Sequence, residues 1–274
     1  MQLSLGISPC PNDTFSFYHL LHAAGGDTEL EYTVNFADIE ELNQALIQGK
    51  LDVGKASFGL VPFISDRYQV LDSGAALGFG CGPLLIAKQE FALEDVPKLK
   101  IAIPGVHTTA NRLLNMAFGE IERSEEYVFS AIEQAVLSGK VDAGLIIHES
   151  RFTYEAKGLK KLIDLGQWWE TKFAVPVPLG CIVVKRSLPD AVKIQIQKSI
   201  AQSVQRAFDN RELPMDFVRA HAQEMDSEVM KQHIGLYVNQ YSLSLGDAGR
   251  KALRILLQEG VGESVLSEPL FLSL

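Results

Sequence analysis

A segment of eleven residues is echoed ninety positions later in this chain, and that echo limits the fold more than any other feature. Gln44-Ala45-Leu46-Ile47-Gln48-Gly49-Lys50-Leu51-Asp52-Val53-Gly54 is matched by Gln134-Ala135-Val136-Leu137-Ser138-Gly139-Lys140-Val141-Asp142-Ala143-Gly144, with six of the eleven positions identical. Each copy reads as the end of a helix, a glycine stop, and a short turn into a buried strand. Any helix-turn-strand unit favours Gly and Asp at such places. Upstream, however, each half also carries a strand followed by a polar turn into a helix, Ile7–Thr14 in one and Pro104–Thr109 in the other. The sharper reading is therefore two similar α/β lobes that face each other.

The rest of the first 185 residues supports that reading. Strand-like runs are expected at Leu3–Ile7, Tyr32–Phe36, Val53–Ser57, Leu84–Lys88, Lys100–Pro104, Ala143–His148, Leu162–Leu165 and Gly180–Lys185, alternating with helical stretches. Phe15–Ala24 and Asn111–Phe118 carry apolar residues at helical spacing and stop at Gly25-Gly26 and Gly119. After Pro189 the character changes. Val192, Ile196, Ile200, Val204 and Phe208 form one stripe at four-residue intervals, and helices are expected at Met215–Glu224, Ser227–Tyr241 and Asp247–Glu259. The tail Glu268–Leu272 reads as an apolar strap.

A chain that crosses to its second lobe near residues 80–90 and returns near 180–186 makes a two-lobed α/β hinge fold. The pattern is similar to the periplasmic-binding-protein-like fold of type II. Residues 1–85 and 186–274 are assigned to one lobe and 86–185 to the other. In open α/β sheets ligands bind beyond the carboxyl ends of the strands, so the shared cleft is the place to look for chemistry.

Composition excludes several alternatives. The chain has 274 residues, 47% hydrophobic and 22% charged, with a net charge of −9. Those values exclude a mainly disordered or fibrous chain. Its 25 Lys and Arg are scattered, whereas a nucleic-acid surface needs a cationic face; no nucleic-acid partner is expected. The chain opens directly on a strand, without a basic and apolar leader, and no apolar run approaches the roughly 18 residues of a membrane span. Cys10, Cys81 and Cys181 stand far apart, at the wrong spacing for a disulfide framework or a zinc site. The expectation is a cytoplasmic protein with no membrane partner. No signal for an oligomeric state is legible.

Three turns should meet in the cleft. Val53-Gly54-Lys55-Ala56-Ser57 ends in a cation and a hydroxyl; Lys55 is read either as a partner for an anion or as a surface charge. His107-Thr108-Thr109 opens a helix, where free N–H groups and the positive dipole end favour an anion. N-capping is the structural alternative for the two threonines. The third turn carries the strongest signal. Uniformly apolar Ala143–Ile147 gives way to His148-Glu149-Ser150-Arg151, so a buried strand delivers an imidazole at its carboxyl end. Strand alternation would put His148 and Ser150 on one face, with Glu149 turned away. An imidazole with an ordinary pKa of about 6.5 exchanges protons near neutrality. Arg151 is read as a fork for a carboxylate or, more simply, as an ion pair.

Other residues carry less weight. Cys10, between two prolines, would need a base partner to act as a nucleophile. Trp168-Trp169 reads as packing, and His221 and His233 as surface or packing residues of C-terminal helices. His107 is a secondary candidate for ligand contact. No phosphate loop, dinucleotide fingerprint or metal motif is present, so no cofactor and no metal are expected.

Ser8-Pro9-Cys10-Pro11-Asn12-Asp13-Thr14-Phe15, Pro104–Ala110, Gly144–Tyr154, Pro178-Leu179-Gly180 and Arg219–Glu224 together resemble the 1,4-dihydroxy-6-naphthoate synthase family of the futalosine route to menaquinone, over nearly the whole chain. The resemblance implies a lyase that converts cyclic dehypoxanthine futalosine, a small-molecule carboxylate, into 1,4-dihydroxy-6-naphthoate and a three-carbon fragment. It implies His148 as proton acceptor and Lys55, Ala56, Ser57, Thr108 and Thr109 as substrate contacts. Ser8, Asn12, His107, Ser150 and Arg151 are secondary candidates. The alternatives are a chorismate dehydratase of the same pathway and a non-catalytic solute-binding protein.

Overall fold

The structure, a computed structural model, describes residues 1–22, 30–148, 150–222, 226–258 and 269–272. The Gly25-Gly26 stop, Glu149, Gln223, Glu224, Glu259 and Glu268, all singled out from the sequence, lie outside the described residues.

The elements, in chain order, are β1 (Gln2–Ile7), α1 (Pro11–Leu21), β2 (Glu31–Phe36), α2 (Ile39–Ile47), β3 (Val53–Ser57), β4 (Tyr68–Val70), β5 (Ala76–Gly78) and β6 (Leu84–Ala87). Then come β7 (Lys100–Ile103), α3 (Thr109–Phe118), β8 (Arg123–Glu126), α4 (Phe129–Leu137), β9 (Ala143–Ile146), β10 (Lys160–Asp164), α5 (Leu165–Phe173) and β11 (Val177–Lys185). The C-terminal part contributes α6 (Asp190–Asp209), α7 (Met215–His221), α8 (Ser227–Tyr237) and α9 (Gly246–Gln258).

The repeated segment folds the same way twice, for the same reasons. Gly49 and Gly139 have φ of +70° and +73°, a left-handed conformation that glycine adopts without a Cβ penalty. In both copies this lets the amides of the glycine and of the residue after it fold back on the helix. Gly49 N–H and Lys50 N–H donate to Leu46 and Ala45 carbonyls, and Gly139 N–H and Lys140 N–H donate to Val136 and Ala135 carbonyls. The repeated aspartate has a role as well. The Asp52 carboxylate accepts from Ser4 N–H at 2.9 Å, and that of Asp142 accepts from Lys100 N–H at 2.8 Å, each tying the strand to its inner neighbour.

Topology repeats too. One sheet has the order β2-β1-β3-β11-β4, with β5 also on β11; the other has β8-β7-β9-β6-β10. In each, three parallel strands are followed by an antiparallel one, β11 beside β3 and β6 beside β9. The chain leaves the first sheet after β5, enters the second at β6, and returns at β11. In α6, Ile196, Ile200 and Val204 of the expected stripe are fully buried, Ile196 and Ile200 against Ile182 and Val53 of the first sheet. The tail lies along β4, with Val70 N–H donating to Leu270 and Leu272 N–H to Val70.

Some elements differ from the sequence reading. Helix α1 begins at Pro11 rather than Phe15, because proline at the first helical position lacks only an N–H that has no intrahelical partner there. The expected Ser227–Tyr241 helix breaks at Asn239, whose side chain accepts from Tyr241 N–H at 2.9 Å and caps a new turn. Strands β4 and β5 have three residues each, too short to show a period. β8 is a charged edge strand, exposed along its whole length and without alternation.

The crossing between sheets is tight. A Cβ added at Gly166, in the first turn of α5, would stand 1.8 Å from the Cys81 carbonyl oxygen. Gly166→Ala must therefore push the crossing segment off α5 and is expected to cost at least about 1–3 kcal/mol. An unchanged thermal midpoint would show that the crossing yields freely.

Candidate active site

A cleft opens where the carboxyl ends of both sheets converge. Ser8 reaches it from the end of β1, Asn12 and Asp13 from the first turn of α1, Lys55 and Ser57 from β3, Thr108 and Thr109 from the start of α3, and His148 from the segment after β9. His233 and Tyr237 of α8 also line it. All three turns singled out from the sequence therefore meet.

The first-sheet side is a continuous polar network. Lys55 Nζ donates to Asp13 Oδ1 at 2.7 Å, with both residues buried. Asn12 Nδ2 donates to the same oxygen at 2.8 Å, while Ser8 N–H and Oγ donate to Asp13 Oδ2 at 3.2 and 2.8 Å. With its amide nitrogen committed to Asp13, Asn12 presents Oδ1 to His233 Nε2 at 3.0 Å. That places the proton of His233 on Nε2. The anion that Lys55 holds is thus a carboxylate of the protein. Ser57 is held from behind by Asn43, which accepts from its N–H at 3.0 Å and donates to its Oγ at 3.1 Å. Ala56 is fully buried in the β3–β11 ladder and lies outside the lining.

Across the cleft, Thr108 caps α3, accepting from Asn111 N–H at 3.2 Å. The N-capping alternative holds for it, and its side chain still borders the cleft. Thr109 spans the two sheets: its hydroxyl donates to Leu179 O at 2.6 Å and accepts from Gly59 N–H at 3.0 Å. His107 stands outside the lining, edge-on to Phe63 at 5.3 Å.

His148 reaches the cleft by a route different from the expected one. Strand β9 ends at Ile146, and His148 lies in a turn with φ +59°, a left-handed conformation that costs a non-glycine residue roughly 1–2 kcal/mol. Strand alternation therefore does not extend to Ser150, which begins a helical turn, Ser150–Thr153, and donates to Glu133 at 3.4 Å. Arg151 donates to Asp164 at 2.7 Å and to Gly82 O at 2.9 Å. Neither Ser150 nor Arg151 lines the cleft. The left-handed turn exists because the chain must leave the strand and enter that helical turn within a few residues. Such strain concentrates at functional sites.

The His148 ring packs against Phe129, with centroids 4.8 Å apart, and lies nearly parallel to His233 at 6.2 Å. Cys10 Sγ is 3.6 Å from its Nδ1. Burial pushes the imidazole down to about 4; Asp13 acts to raise it and Lys55 to lower it further. His233 is also held well below the ordinary histidine range, by burial and then by His148 and Lys55. Both shifts favour the neutral ring, the form in which an imidazole can accept a proton.

Asp13 and His233 are cleft residues to which the sequence reading gave no role. Asp13 belongs to the Ser8–Phe15 motif, and a carboxylate just after the proline at the end of that polar turn is the signal that could have found it. His233 carried no local signal, since α8 presents it to the cleft only after packing on α1. Trp169 is core: fully buried, it donates to Pro176 O at 3.0 Å. Among the described residues no group of three or more His, Cys, Asp or Glu is arranged to hold a metal ion.

Residues 3–261 match a protein family described as menaquinone biosynthesis. A 1,4-dihydroxy-6-naphthoate synthase of Thermus thermophilus is 40% identical over 273 residues, 98% of each chain. A crystal structure of a protein from Archaeoglobus fulgidus is similar with a TM-score of 0.89 and 32% identity, covering 94% of this chain and 96% of that one. The ligand-binding component of an ABC-type import system from Staphylococcus aureus is similar with a TM-score of 0.69 and 14% identity, covering 94% and 91%. That last likeness bears on the fold alone, which is periplasmic-binding-protein-like.

Proposed function

We propose a function from the premise that this chain belongs to the menaquinone biosynthesis family: it is a carbon–carbon lyase, a 1,4-dihydroxy-6-naphthoate synthase. Its substrate is cyclic dehypoxanthine futalosine, a small-molecule carboxylate. The products are 1,4-dihydroxy-6-naphthoate and a three-carbon fragment.

One observation carries the mechanism: His148 faces the cleft from a left-handed turn between two sheets. In this reading His148 takes the proton of a substrate hydroxyl. The O–H electron pair becomes the new carbonyl bond and the adjacent carbon–carbon bond breaks. Its electrons enter the ring that becomes aromatic, and a proton then restores the ring hydroxyl. Aromatisation supplies the driving force, leaving the protein to position groups and move protons. Ser57, Thr108 and the N–H groups at the start of α3 suit the substrate's polar oxygens. The two lobes, one built on each sheet, close on the substrate and exclude water. Among the described residues no helix is long and apolar enough to cross a membrane; a cytoplasmic location, without nucleic-acid or membrane partners, is part of the proposal.

The test is incubation of the purified protein with cyclic dehypoxanthine futalosine, with chorismate as a parallel substrate and products resolved by mass. Formation of 1,4-dihydroxy-6-naphthoate is the expected result. Binding without conversion would overturn the reading in favour of a binding protein, and conversion of chorismate instead would favour a dehydratase.

The pH dependence follows from the lowered pKa of the His148 imidazole. Because His148 must be unprotonated and its imidazole is pushed down to about 4, kcat/KM should hold through pH 6 and fall only as pH approaches 4. An acid limb near 6.5 would assign the proton transfer to a different group. Linkage has the same sign: the unfolded chain binds this proton near 6.5, so stability is full above that pH and declines as pH falls toward 4.

A further inference from the structure

We propose that Cys10 is the positioning residue of the base: its sulfur accepts the Nδ1–H of His148 from across the cleft and leaves the Nε2 lone pair to take the substrate's proton. The proposal rests on the reading of His148 as base and adds the means by which that base is oriented.

An imidazole needs such a partner here. The terminal torsion of histidine is broad and roughly two-fold, so a ring can present either nitrogen to a ligand at little cost. Phe129, on the ring's flank, fixes the plane of His148 and does not distinguish the two nitrogens. Among the described residues, Cys10 Sγ at 3.6 Å from Nδ1 is the one side chain hydrogen-bonded to this ring. That contact breaks the two-fold degeneracy. Which nitrogen carries the proton is set by the hydrogen bond that the other makes.

Cys10 is suited to the task because its own position is fixed. It stands between Pro9 and Pro11, whose rings restrict the backbone. Its carbonyl accepts from Asp13 N–H and Thr14 N–H, both at 3.1 Å, and from Thr14 Oγ1 at 3.0 Å. Cys10 precedes α1 beside the first sheet and His148 follows the second sheet, so the bond exists only with the lobes together. Closure and orientation of the base are then one event.

Sulfur also explains how orientation is achieved without changing the charge of the site. The usual orienting partner of a catalytic imidazole is a carboxylate, which raises the basicity of the ring. A neutral thiol sulfur is a weak acceptor. By accepting the Nδ1–H it selects that tautomer without adding a carboxylate beside Lys55 and Asp13. Cys81 and Cys181 offer no comparable role: both are fully buried, with thiols pushed up to about 12 by burial.

The experiment compares wild type with Cys10→Ala, Cys10→Ser and Cys10→Asp, by kcat and KM against pH with cyclic dehypoxanthine futalosine and by nitrogen NMR of ¹⁵N-histidine-labelled protein. Cys10→Ala should lose about 10- to 100-fold in kcat, the part of general-base catalysis that depends on alignment, with little change in KM. Cys10→Ser should lie between it and wild type. Cys10→Asp, by placing a carboxylate at Nδ1, should move the acid limb to higher pH. In the nitrogen spectrum, wild-type His148 should be protonated at Nδ1, and Cys10→Ala should revert toward the Nε2–H form that imidazole prefers in water. Wild-type kcat in Cys10→Ala, or a tautomer that is the same in both proteins, would overturn the proposal. If wild type does not turn over the substrate, the function reading fails, while the nitrogen spectrum still decides whether Cys10 sets the tautomer.

Discussion

Replacing His148 with asparagine is expected to lower kcat by about 10²–10⁴-fold, the range that a positioned general base contributes, while substrate affinity changes little. Asparagine is the informative substitution because His148 has φ +59°, and Asn tolerates the left-handed region better than other non-glycine residues. The turn is kept and the proton acceptor is lost. His148→Ala should be at least as inactive and somewhat less stable, since alanine bears the same backbone strain without ring packing on Phe129. Single-turnover product formation, with calorimetric binding of the substrate alongside, separates chemistry from recognition. Near-wild-type turnover in either variant would sink the assignment of His148 as base.

The second large effect is on stability and concerns the buried Lys55–Asp13 pair. Asp13→Ala is expected to destabilise the protein by about 3–5 kcal/mol, because a charge left buried without its partner keeps its desolvation cost and loses its Coulomb attraction. The two partners are not equivalent. Asp13 also accepts from Ser8 N–H, Ser8 Oγ and Asn12 Nδ2, so Lys55→Met leaves a carboxylate that is still well solvated by donors. Among the described residues, Lys55 Nζ donates to Asp13 and to no other side chain. Asp13→Ala should therefore melt well below Lys55→Met, and the double variant Asp13→Ala/Lys55→Met should recover much of the loss. Equal melting of the two single variants would show that the network shares its charge differently. Activity is expected to fall in all three, because Asp13 and Lys55 both line the cleft and their ion pair holds its polar wall in place.

The architecture was legible because it is written in local chemistry. Gly49 and Gly139 stop helices by the same two backward hydrogen bonds, and Asp52 and Asp142 tie strands in the same way. Short-range requirements of this kind leave residue types at fixed spacing, so the repeat was visible without any structure. The strands that escaped notice, β4, β5 and β8, leave no such trace: two are three residues long, and the third is a charged edge. The candidate site was legible in part. Ser57, Thr108, Thr109 and His148 stand where strand ends and a helix start would place them. His148 lines the cleft as expected, but by a different route, since β9 ends before it and Ser150 turns into a helix.

By itself the sequence determined two α/β halves, the loops that carry polar residues to strand ends, and a histidine among them, because helix stops, strand starts and caps depend on neighbours within a few positions. Only the tertiary structure decided the partners. Lys55 meets Asp13, Thr109 joins the two sheets, His233 of a C-terminal helix faces His148, and Cys10 reaches its Nδ1. Each of these pairings crosses between elements far apart in the chain. The identity of such partners is set by how buried surfaces pack, and packing leaves no periodic signature for a sequence to display.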